Sequence, residues 1–315
     1  MTPSTNAQHN PLSLTVIGAG AMGLKHMRAA CTNPAITLSA VFDRDEGRCK
    51  STAEEFACIA ATSLENACEL AEAAVVATPT NAHYSVAIAF LNAGLHCIVE
   101  KPLAPTEPQC QDLIDSAAIN NLVLQVGHSE RFNPALEALW NQNLKCSDIR
   151  AIEARRMNPE AARPIRDDEI LDLMVHDLDV ILALKRSPIL EVSAHKISKE
   201  HSKAILTFAD GTNATLSASR KADRQVRDLE VVTNTRTTHV DYSEQRAWIT
   251  YDLNRTESTS YPQAMKVESR DPLQHQLTHF AESIRGEHPP RVSGEHALAT
   301  MKLAWRIQAA LKNAA

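Results

Sequence analysis

The sequence has no long run of lysine or arginine, and its formal charge is -6 at pH 7. A protein that neutralises nucleic-acid phosphates needs basic patches, so this charge balance excludes nucleic acid as the main partner. No stretch approaches the ~20 apolar residues that a membrane helix requires. Residues 1–12 have neither the basic start nor the apolar core of a signal peptide. We therefore expect a cytoplasmic protein with a small-molecule partner, without a nucleic-acid or membrane partner.

Cysteine pairs of the C-x-x-C kind are also missing. The seven cysteines are odd in number and none follows Cys146, which argues against a disulfide framework and against a zinc site. His275 and His279 have the spacing of two metal ligands on a helix, but two histidines are fewer ligands than a metal site requires. We therefore assign no metal and expect this pair to lie at a surface or interface.

The first part of the chain alternates short apolar runs with helical patterns. A length of 315 residues favours two domains, each large enough for its own core. Strands followed by helices indicate β-α-β units and a doubly wound parallel sheet of the Rossmann type. We place this α/β domain at 1–128. Its predicted strands are 14–18, 37–43, 59–61, 74–77, 96–100 and 122–126, and its predicted helices include 22–30, 53–57 and 83–93.

Beyond residue 128 strands dominate. Alternating apolar and polar residues joined by turn signals, notably Asp210-Gly211-Thr212, predict an open, mainly antiparallel sheet arranged as a meander. We assign 129–315 to a second α/β domain that binds substrate and mediates oligomerisation. Its predicted strands are 150–155, 189–197, 204–208, 214–219, 228–233, 237–242 and 247–251, and its predicted helices are 134–140, 169–184, 273–285 and 294–312.

A glycine-rich turn, G-x-G-x-x-G, directly follows the first predicted strand and opens the first predicted helix. Gly18 allows the tight turn, Gly20 lets the backbone approach a pyrophosphate, and Gly23 allows close packing of helix and strand. The backbone N–H groups of Ala21 and Met22 then face the anion at the helix start. Because this context is the one that the motif requires, it predicts a dinucleotide site rather than a chance glycine turn.

The second predicted strand ends in an acidic residue. Asp43 follows Gly23 by twenty residues, where a carboxylate accepts hydrogen bonds from the adenosine ribose hydroxyls. This arrangement favours NAD. Arg44 beside it offers a partner for a 2′-phosphate, which keeps NADP open as the second choice.

Two further segments follow strand ends, where a doubly wound sheet opens its ligand crevice. After the fourth strand come Thr78, Pro79, Asn81 and His83, which we expect near the nicotinamide half of the cofactor; His83 equally suits a cap over the next helix. After the fifth strand come Glu100, Lys101 and Pro102. A charged pair at this edge is either an ion-rich turn or part of a reaction centre, and the cofactor motif nearby favours the second.

A last pair lies on the predicted helix 169–184. Asp172 and His176 are four residues apart and therefore share one face. Their side chains can meet one substrate, although packing within the apolar stripe is the simpler alternative for His176.

Together these motifs resemble the glucose-fructose oxidoreductase and inositol dehydrogenase family. The shared features are the glycine fingerprint, T-P-x-x-x-H after the fourth strand, E-K-P after the fifth and D-x-x-x-H later. The resemblance implies a Rossmann domain, a second domain whose open sheet makes a homodimer or homotetramer, and oxidation of a sugar hydroxyl. It implies a catalytic group of Lys101, His176 and Asp172; either Lys101 or His176 can take the proton, and we expect Lys101 to bind the hydroxyl. Glu100 and Lys101 also join the cofactor site.

The segments 126–134 and 153–156 narrow the resemblance to members that oxidise the 3-hydroxyl of UDP-linked N-acetylhexosamines such as UDP-N-acetylglucosamine. Such a product is a 3-keto sugar for transamination in the synthesis of some lipid A. A diphosphate suits guanidinium groups, and the expected substrate-binding residues besides the catalytic three are Arg131, Asn133, Arg156 and Arg163, with Arg155 and Arg166 as further arginines nearby. Two alternatives stay open: an inositol or aldose dehydrogenase, and a catalytically silent NAD-sensing regulator.

Overall fold

The computed structural model describes residues 10–160, 167–251 and 262–313. These residues divide into two compact units. The first takes in the described residues up to Gly127 together with Leu273–Glu295, and the second takes in His128–Pro272 and the residues from His296 onward. No helix within the described residues is both long and apolar enough to cross a membrane.

The first unit contains a sheet of six parallel strands, and all six predicted strands are confirmed. In chain order they are β1 (Leu12–Ile17), β2 (Ile36–Phe42), β3 (Ile59–Ala60), β4 (Ala73–Val76), β5 (His96–Val99) and β6 (Leu124–Val126). The spatial order is β3-β2-β1-β4-β5-β6, which is the order of a doubly wound dinucleotide-binding fold. Every residue of β4 is fully buried, as expected for a strand covered on both faces.

Five helices alternate with these strands: α1 (Ala21–Cys31), α2 (Glu46–Glu55), α3 (Leu64–Glu69), α4 (Thr80–Asn92) and α5 (Glu107–Ile119). The prediction of a helix at 53–57 was wrong in its extent, because α2 begins seven residues earlier. The Asp45 side chain caps that helix by accepting a 2.9 Å hydrogen bond from the Arg48 amide. Most residues of α2 are polar, so the spacing of apolar residues in the sequence indicated a helix only at its last turn.

The second unit contains a sheet of eight strands. They are β7 (Ile149–Met157), β8 (Ile189–Ser198), β9 (His201–Phe208), β10 (Asn213–Ser219), β11 (Val226–Thr233), β12 (Arg236–Asp241), β13 (Arg246–Tyr251) and β14 (Gln263–Ala264). Their order is β14-β13-β12-β11-β7-β10-β9-β8. The mainly antiparallel sheet is confirmed, but the single meander is wrong. The first strand, β7, lies between two shorter meanders and pairs with β10 in parallel and with β11 antiparallel.

Helices cover one face of this sheet: α6 (Pro134–Trp140), a π-helical turn (Ile170–Met174) continued by α7 (Val175–Leu184), and the later part of the last helix. The alternation along β9 buries every second residue. These side chains join Leu136, Leu178 and Leu303 in one core cluster. Burial of each such side chain contributes about 1.5–3 kcal/mol.

The division of the chain differs from the sequence-based one at its C-terminal side. The penultimate helix, α8 (Pro272–Ile284), packs Leu277 and Phe280 into the core of the first unit, among the strand residues Val16 and Ile98. The last helix, α9 (Gly294–Asn313), begins in the first unit and continues in the second. Local sequence patterns indicate helices here, but they do not show which core each helix completes.

Candidate functional site

The glycine-rich turn has the geometry of a dinucleotide cradle. Gly18 has a φ of +99°, and a Cβ atom there would lie 2.7 Å from the Ala77 carbonyl oxygen. A Cβ atom on Gly23 would lie 1.8 Å from the Gly18 carbonyl oxygen. Neither position can hold a side chain without moving the backbone.

The space above this turn is open. A Cβ atom on Gly20 would meet nothing within 4 Å. Gly20 is also the N-cap of α1, and no side chain caps the helix there. The first amides of α1, which include those of Ala21 and Met22, therefore meet no capping carboxylate or hydroxyl. Because such amides favour an anion, the turn fits the pyrophosphate of a nicotinamide dinucleotide.

Asp43 lies directly after β2 and is tied to the glycine turn. Its carboxylate accepts hydrogen bonds from the Ala19 amide (2.8 Å) and the Asp45 amide (2.9 Å). Arg48 donates two more, from Nε at 3.0 Å and from Nη2 at 2.7 Å. Burial raises the pKa of Asp43, but the hydrogen bonds from Arg48 and the two amides outweigh it and hold the pKa below its usual value. Arg44 is exposed beside this cluster.

His83 joins the two segments that follow β4 and β5. Its ring is buried, with Nδ1 2.7 Å from the Pro102 carbonyl oxygen and Nε2 2.8 Å from the Thr78 carbonyl oxygen. Both partners are backbone carbonyl oxygens of the two segments. Thr78 is half-buried, whereas Pro79 and Asn81 are exposed at the start of α4. His83 therefore fixes the shape of this edge through the backbone.

Glu100 is buried directly before Lys101. Its Oε1 lies 2.7 Å from Nε2 of His26 on α1, and its Oε2 accepts a 3.3 Å hydrogen bond from the Lys101 amide. Burial raises the pKa of Glu100, but the His26 hydrogen bond and nearby positive charge leave that pKa below its usual value. Lys101 itself is half-buried. Sequence reasoning missed His26, although its place three residues after Gly23 puts it on the same side of α1.

In the second unit, Asp172 and His176 lie on one continuous helical segment. Asp172 belongs to the π-helical turn and His176 to the first turn of α7. The Asp172 carboxylate is 3.8 Å from a guanidinium nitrogen of Arg220. The His176 ring meets the buried ring of His128 edge-on, with centroids 6.0 Å apart. Both candidate residues are half-buried, and π-helical turns occur frequently at functional sites.

Arg156 is held inside the second unit by two carboxylates. Its Nε and Nη2 bind Asp177 at 3.0 and 2.9 Å, and its Nη1 binds Glu130 at 2.9 Å. The guanidinium also lies over the Tyr242 ring at 5.4 Å. Burial favours neutral Arg156, but both carboxylates outweigh it and raise its pKa. These contacts give Arg156 a structural contribution, and its part in substrate binding stays a prediction.

Arg131 and Asn133 are engaged in the same way. Nη1 of Arg131 lies 3.5 Å from Oδ1 of the buried Asp179 and 3.0 Å from Nε2 of His296. The Asn133 amide nitrogen donates to Glu130 at 3.1 Å and to the Tyr242 carbonyl at 3.0 Å. Their roles as substrate ligands also stay predictions.

Of the remaining arginines named from the sequence, one forms a partly exposed ion pair and two lie outside the described residues. Arg155 forms a two-point ion pair with Asp228 at 2.9 and 2.7 Å and is partly exposed. It alternates with Arg156 along β7, so the two side chains point to opposite faces of the sheet. Arg163 and Arg166 lie outside the described residues.

Comparison with known proteins agrees with this geometry. Residues 12–128 match the family described as an oxidoreductase family with an NAD-binding Rossmann fold, Gfo/Idh/MocA. The chain is 29% identical to UDP-N-acetylglucosamine 3-dehydrogenase of Acidithiobacillus ferrooxidans over 308 residues, 94% of this chain and 96% of the relative. It is 28% identical to inositol 2-dehydrogenase 2 of Paenarthrobacter aurescens over 307 residues, 90% of this chain and 91% of the relative.

Solved structures give the same result. The structure of the Acidithiobacillus ferrooxidans enzyme superposes with a TM-score of 0.89 at 28% identity, over 96% of this chain and 98% of that one. An oxidoreductase domain protein from Kribbella flavida shares the fold with a TM-score of 0.86 at 18% identity, over 98% of both chains. The glycine cradle and these similarities lead to one conclusion: residues 12–128 of this chain form an NAD-binding Rossmann domain of the Gfo/Idh/MocA oxidoreductase family.

Proposed function

We propose that this oxidoreductase oxidises a sugar hydroxyl to a ketone. The proposed substrate is UDP-N-acetylglucosamine, and the oxidised group is its 3-hydroxyl. The observation that carries the proposal is the similarity to a UDP-N-acetylglucosamine 3-dehydrogenase through both units of the chain, 96% of its length. The product would be a 3-keto nucleotide sugar, which suits transamination to an amino sugar of lipid A.

We take NAD as the cofactor. Gly18, Gly20 and Gly23 would hold its pyrophosphate, and the Asp43 carboxylate would accept hydrogen bonds from its ribose hydroxyls. The nicotinamide half would be bordered by the residues that follow β4 and β5, namely Thr78, Pro79, Asn81, Glu100 and Lys101. His83 would shape that border through its contacts with backbone carbonyl oxygens. NADP is the second choice, since Arg44 and Arg48 both lie next to Asp43.

Lys101, His176 and Asp172 would carry the chemistry. Lys101 binds and polarises the sugar hydroxyl, His176 accepts its proton at a ring nitrogen, and Asp172 orients both groups. The electron pair left on oxygen forms the carbonyl bond. When bound, the nicotinamide supplies the acceptor for the hydride that leaves the ring carbon. Arg131, Asn133, Arg156 and Arg163 are the proposed substrate contacts.

We further propose a homodimer or homotetramer that uses the sheet of the second unit. Leu190 and Ile197 on β8 support this, because their side chains are 69% and 54% exposed. Apolar side chains exposed on an edge strand favour burial against another chain. Light scattering coupled to gel filtration measures the assembly, and substitution of both residues by lysine should reduce its mass.

A substrate panel followed by NADH absorbance tests the function. The purified chain is incubated with NAD and with UDP-N-acetylglucosamine, N-acetylglucosamine, myo-inositol or glucose. We expect UDP-N-acetylglucosamine to react at least tenfold faster than the others in kcat/KM. Deuterium at its C3 should move to the nicotinamide, which identifies the oxidised carbon.

Two results would contradict the proposal in different ways. Faster oxidation of myo-inositol would favour an inositol dehydrogenase, which the 28% identity to such an enzyme also supports. Tight NAD binding without turnover of any sugar would favour the silent NAD-sensing regulator.

A further inference from the structure

Arg227 lies beside Arg156 on the helix-covered face of the second unit. It belongs to β11, and the register pairs it directly with Arg156 on β7. Directly paired residues of antiparallel strands share one face of the sheet. The next pair on that face is Leu229 with Ala154, and both are buried in the core cluster. Arg227 therefore points to the side of the sheet that carries the helices.

Within the part of the chain that the structure describes, Arg227 forms no ion pair with a carboxylate, whereas its neighbours do. Among the described residues, the one hydrogen bond of its side chain is from Nη2 to the Asn158 amide oxygen at 3.5 Å, the outer limit for such a bond. Its Nε is buried and meets no hydrogen-bond partner among the described residues. By contrast, Arg220 binds Glu200 at 2.9 Å, and Arg156 binds two acids.

Burial of this guanidinium has a free-energy cost that the nearby carboxylates offset only in part. Burial lowers the pKa of Arg227, and the positive charge of Arg156 lowers it further, against a smaller opposite effect of Glu130, Asp177 and Asp172. The folded protein therefore holds the charged form less readily than water does. A cation kept in such surroundings suits a site that binds an anion.

The position of Arg227 connects it to the proposed reaction site. Arg156, its direct neighbour in the sheet register, binds Asp177, the residue after His176, and Arg220 beside Asp172 is already neutralised by Glu200. Arg227 is also half-buried rather than sealed, so a ligand can reach part of its guanidinium.

We propose that Arg227 binds a phosphate group of the substrate, in the setting of the proposed nucleotide-sugar oxidation. The planar guanidinium offers two parallel N–H donors to two phosphate oxygens, a geometry that a lysine cannot reproduce. The assignment rests on the proposed function for its substrate class, and it adds Arg227 to the proposed substrate contacts.

Calorimetric binding tests this assignment apart from turnover. The full chain and the variants Arg227→Met, Arg227→Lys and Arg150→Met are titrated with UDP, uridine, inorganic pyrophosphate and N-acetylglucosamine 1-phosphate. Arg150 is the matched control, since it lies exposed on β7 and donates to the Asn234 side chain at 2.9 Å. We expect Arg227→Met to weaken UDP binding at least tenfold and to change uridine binding less than twofold. Arg227→Lys should retain an intermediate affinity, and the control should bind as the wild type does.

A melting curve separates binding from folding. Because Arg227 is desolvated beside Arg156, its replacement by Met should leave the melting temperature unchanged or higher. Weaker binding of UDP together with pyrophosphate names a diphosphate as the ligand, and weaker binding of UDP and the sugar phosphate with unchanged binding of pyrophosphate names a single phosphate group; either supports the assignment. UDP binding by Arg227→Met within twofold of wild type overturns it, as does equal weakening of UDP and uridine.

The two proposals fail in different ways. Turnover of UDP-N-acetylglucosamine with an unchanged KM in Arg227→Met rejects the role of Arg227 and leaves the function standing. Arg227-dependent UDP binding without oxidation of UDP-N-acetylglucosamine rejects the function and leaves the phosphate site standing. A wild-type chain that binds neither UDP nor pyrophosphate overturns the phosphate site.

Discussion

His26 and Glu100 form a buried hydrogen-bonded pair, with Nε2 of His26 2.7 Å from Oε1 of Glu100. His26 belongs to α1, which the glycine turn opens, and Glu100 directly precedes Lys101. The pair therefore ties the cofactor helix to the strand end that carries the proposed catalytic lysine. Gly127 completes this arrangement, because a Cβ atom there would lie 2.7 Å from the Glu100 carboxyl group.

Replacement of His26 by Leu should impair catalysis through Glu100. Without the imidazole, the pKa of buried Glu100 rises, since burial is then opposed by less hydrogen bonding and less positive charge. In the wild type this pKa is depressed, so the ionised carboxylate is lost only as pH falls through that low value. We expect His26→Leu to shift the acidic limb of the kcat/KM profile to higher pH and to lower kcat at least tenfold.

His26→Gln is the matched variant, because its side-chain amide can still donate to Glu100. It should restore most of the wild-type pH profile. A pH profile of His26→Leu that coincides with that of the wild type would show that Glu100 does not need this partner.

Replacement of Lys101 by Ala tests the proposed hydroxyl-binding residue. Positioned acid–base groups contribute roughly 100- to 10,000-fold to rate, so turnover should fall by at least that lower factor. The Kd for NAD should stay within threefold of wild type, since the glycine cradle is untouched. Lys50→Ala is the control, because Lys50 lies exposed and its ion pair with Glu46, at 3.7 Å, is exposed too. A rate above half of the wild type would rule out the assignment.

Sequence patterns predicted the elements well where one local signal decided them. The six strands of the first unit could be read because each is an apolar run between helical patterns. The glycine turn could be read because Gly18 and Gly23 meet backbone atoms that any side chain would displace. The position of β7 between β10 and β11 could not be predicted from the sequence, because strand order depends on pairing between distant segments.

The partners of charged side chains were also beyond the sequence. Arg156 and Arg227 are both arginines on strands, yet one is neutralised by Asp177 and Glu130 and the other is not. These acids come from segments far away in the chain, so no spacing rule connects them. Only the fold separates an arginine that holds the core together from one that can bind a ligand.

Asp43→Asn tests the ribose-binding residue. The asparagine keeps the shape of the side chain but loses the charge and half of the acceptor capacity. A hydrogen bond to a charged group contributes about 1.5–3 kcal/mol, so the Kd for NAD should rise roughly tenfold or more. Arg48 loses its partner and becomes available to a 2′-phosphate, so the preference for NAD over NADP should shrink. Fluorescence titration of both cofactors measures the ratio, and an unchanged ratio would contradict the assignment.

The pH dependence of NAD binding follows from the same carboxylate. The Arg48 and backbone hydrogen bonds hold the pKa of Asp43 below its usual value. The contribution of the Asp43 carboxylate to NAD binding is therefore fully present above the ordinary pKa of an aspartate. It is lost only as pH falls through the lower pKa that Asp43 has in the folded protein. Arg48→Met should move this loss to higher pH. NAD affinity that falls at the same pH in both proteins would show that Arg48 does not set the titration.

Arg156→Met should be strongly destabilising, because it leaves Asp177 and Glu130 without their shared cation. Removal of one partner from a buried ion pair costs about 3–5 kcal/mol. Arg155→Met on the same strand is the matched control. Arg155 is partly exposed, and an exposed ion pair contributes about 0–1 kcal/mol. Urea unfolding of the two variants should therefore differ by several kcal/mol in free energy.

The loss of unfolding free energy caused by Arg156→Met should become smaller as pH falls. Burial already raises the pKa of Asp177 in the wild type, even with Arg156 opposing it. Without Arg156 the folded-state pKa rises further above the unfolded value, so the folded protein binds more protons than the unfolded chain. Stability then increases as pH falls toward the unfolded pKa. Unfolding curves at pH 7 and pH 5 measure this, and a deficit that stays constant between them would show that neither carboxylate carries the cost of the lost arginine.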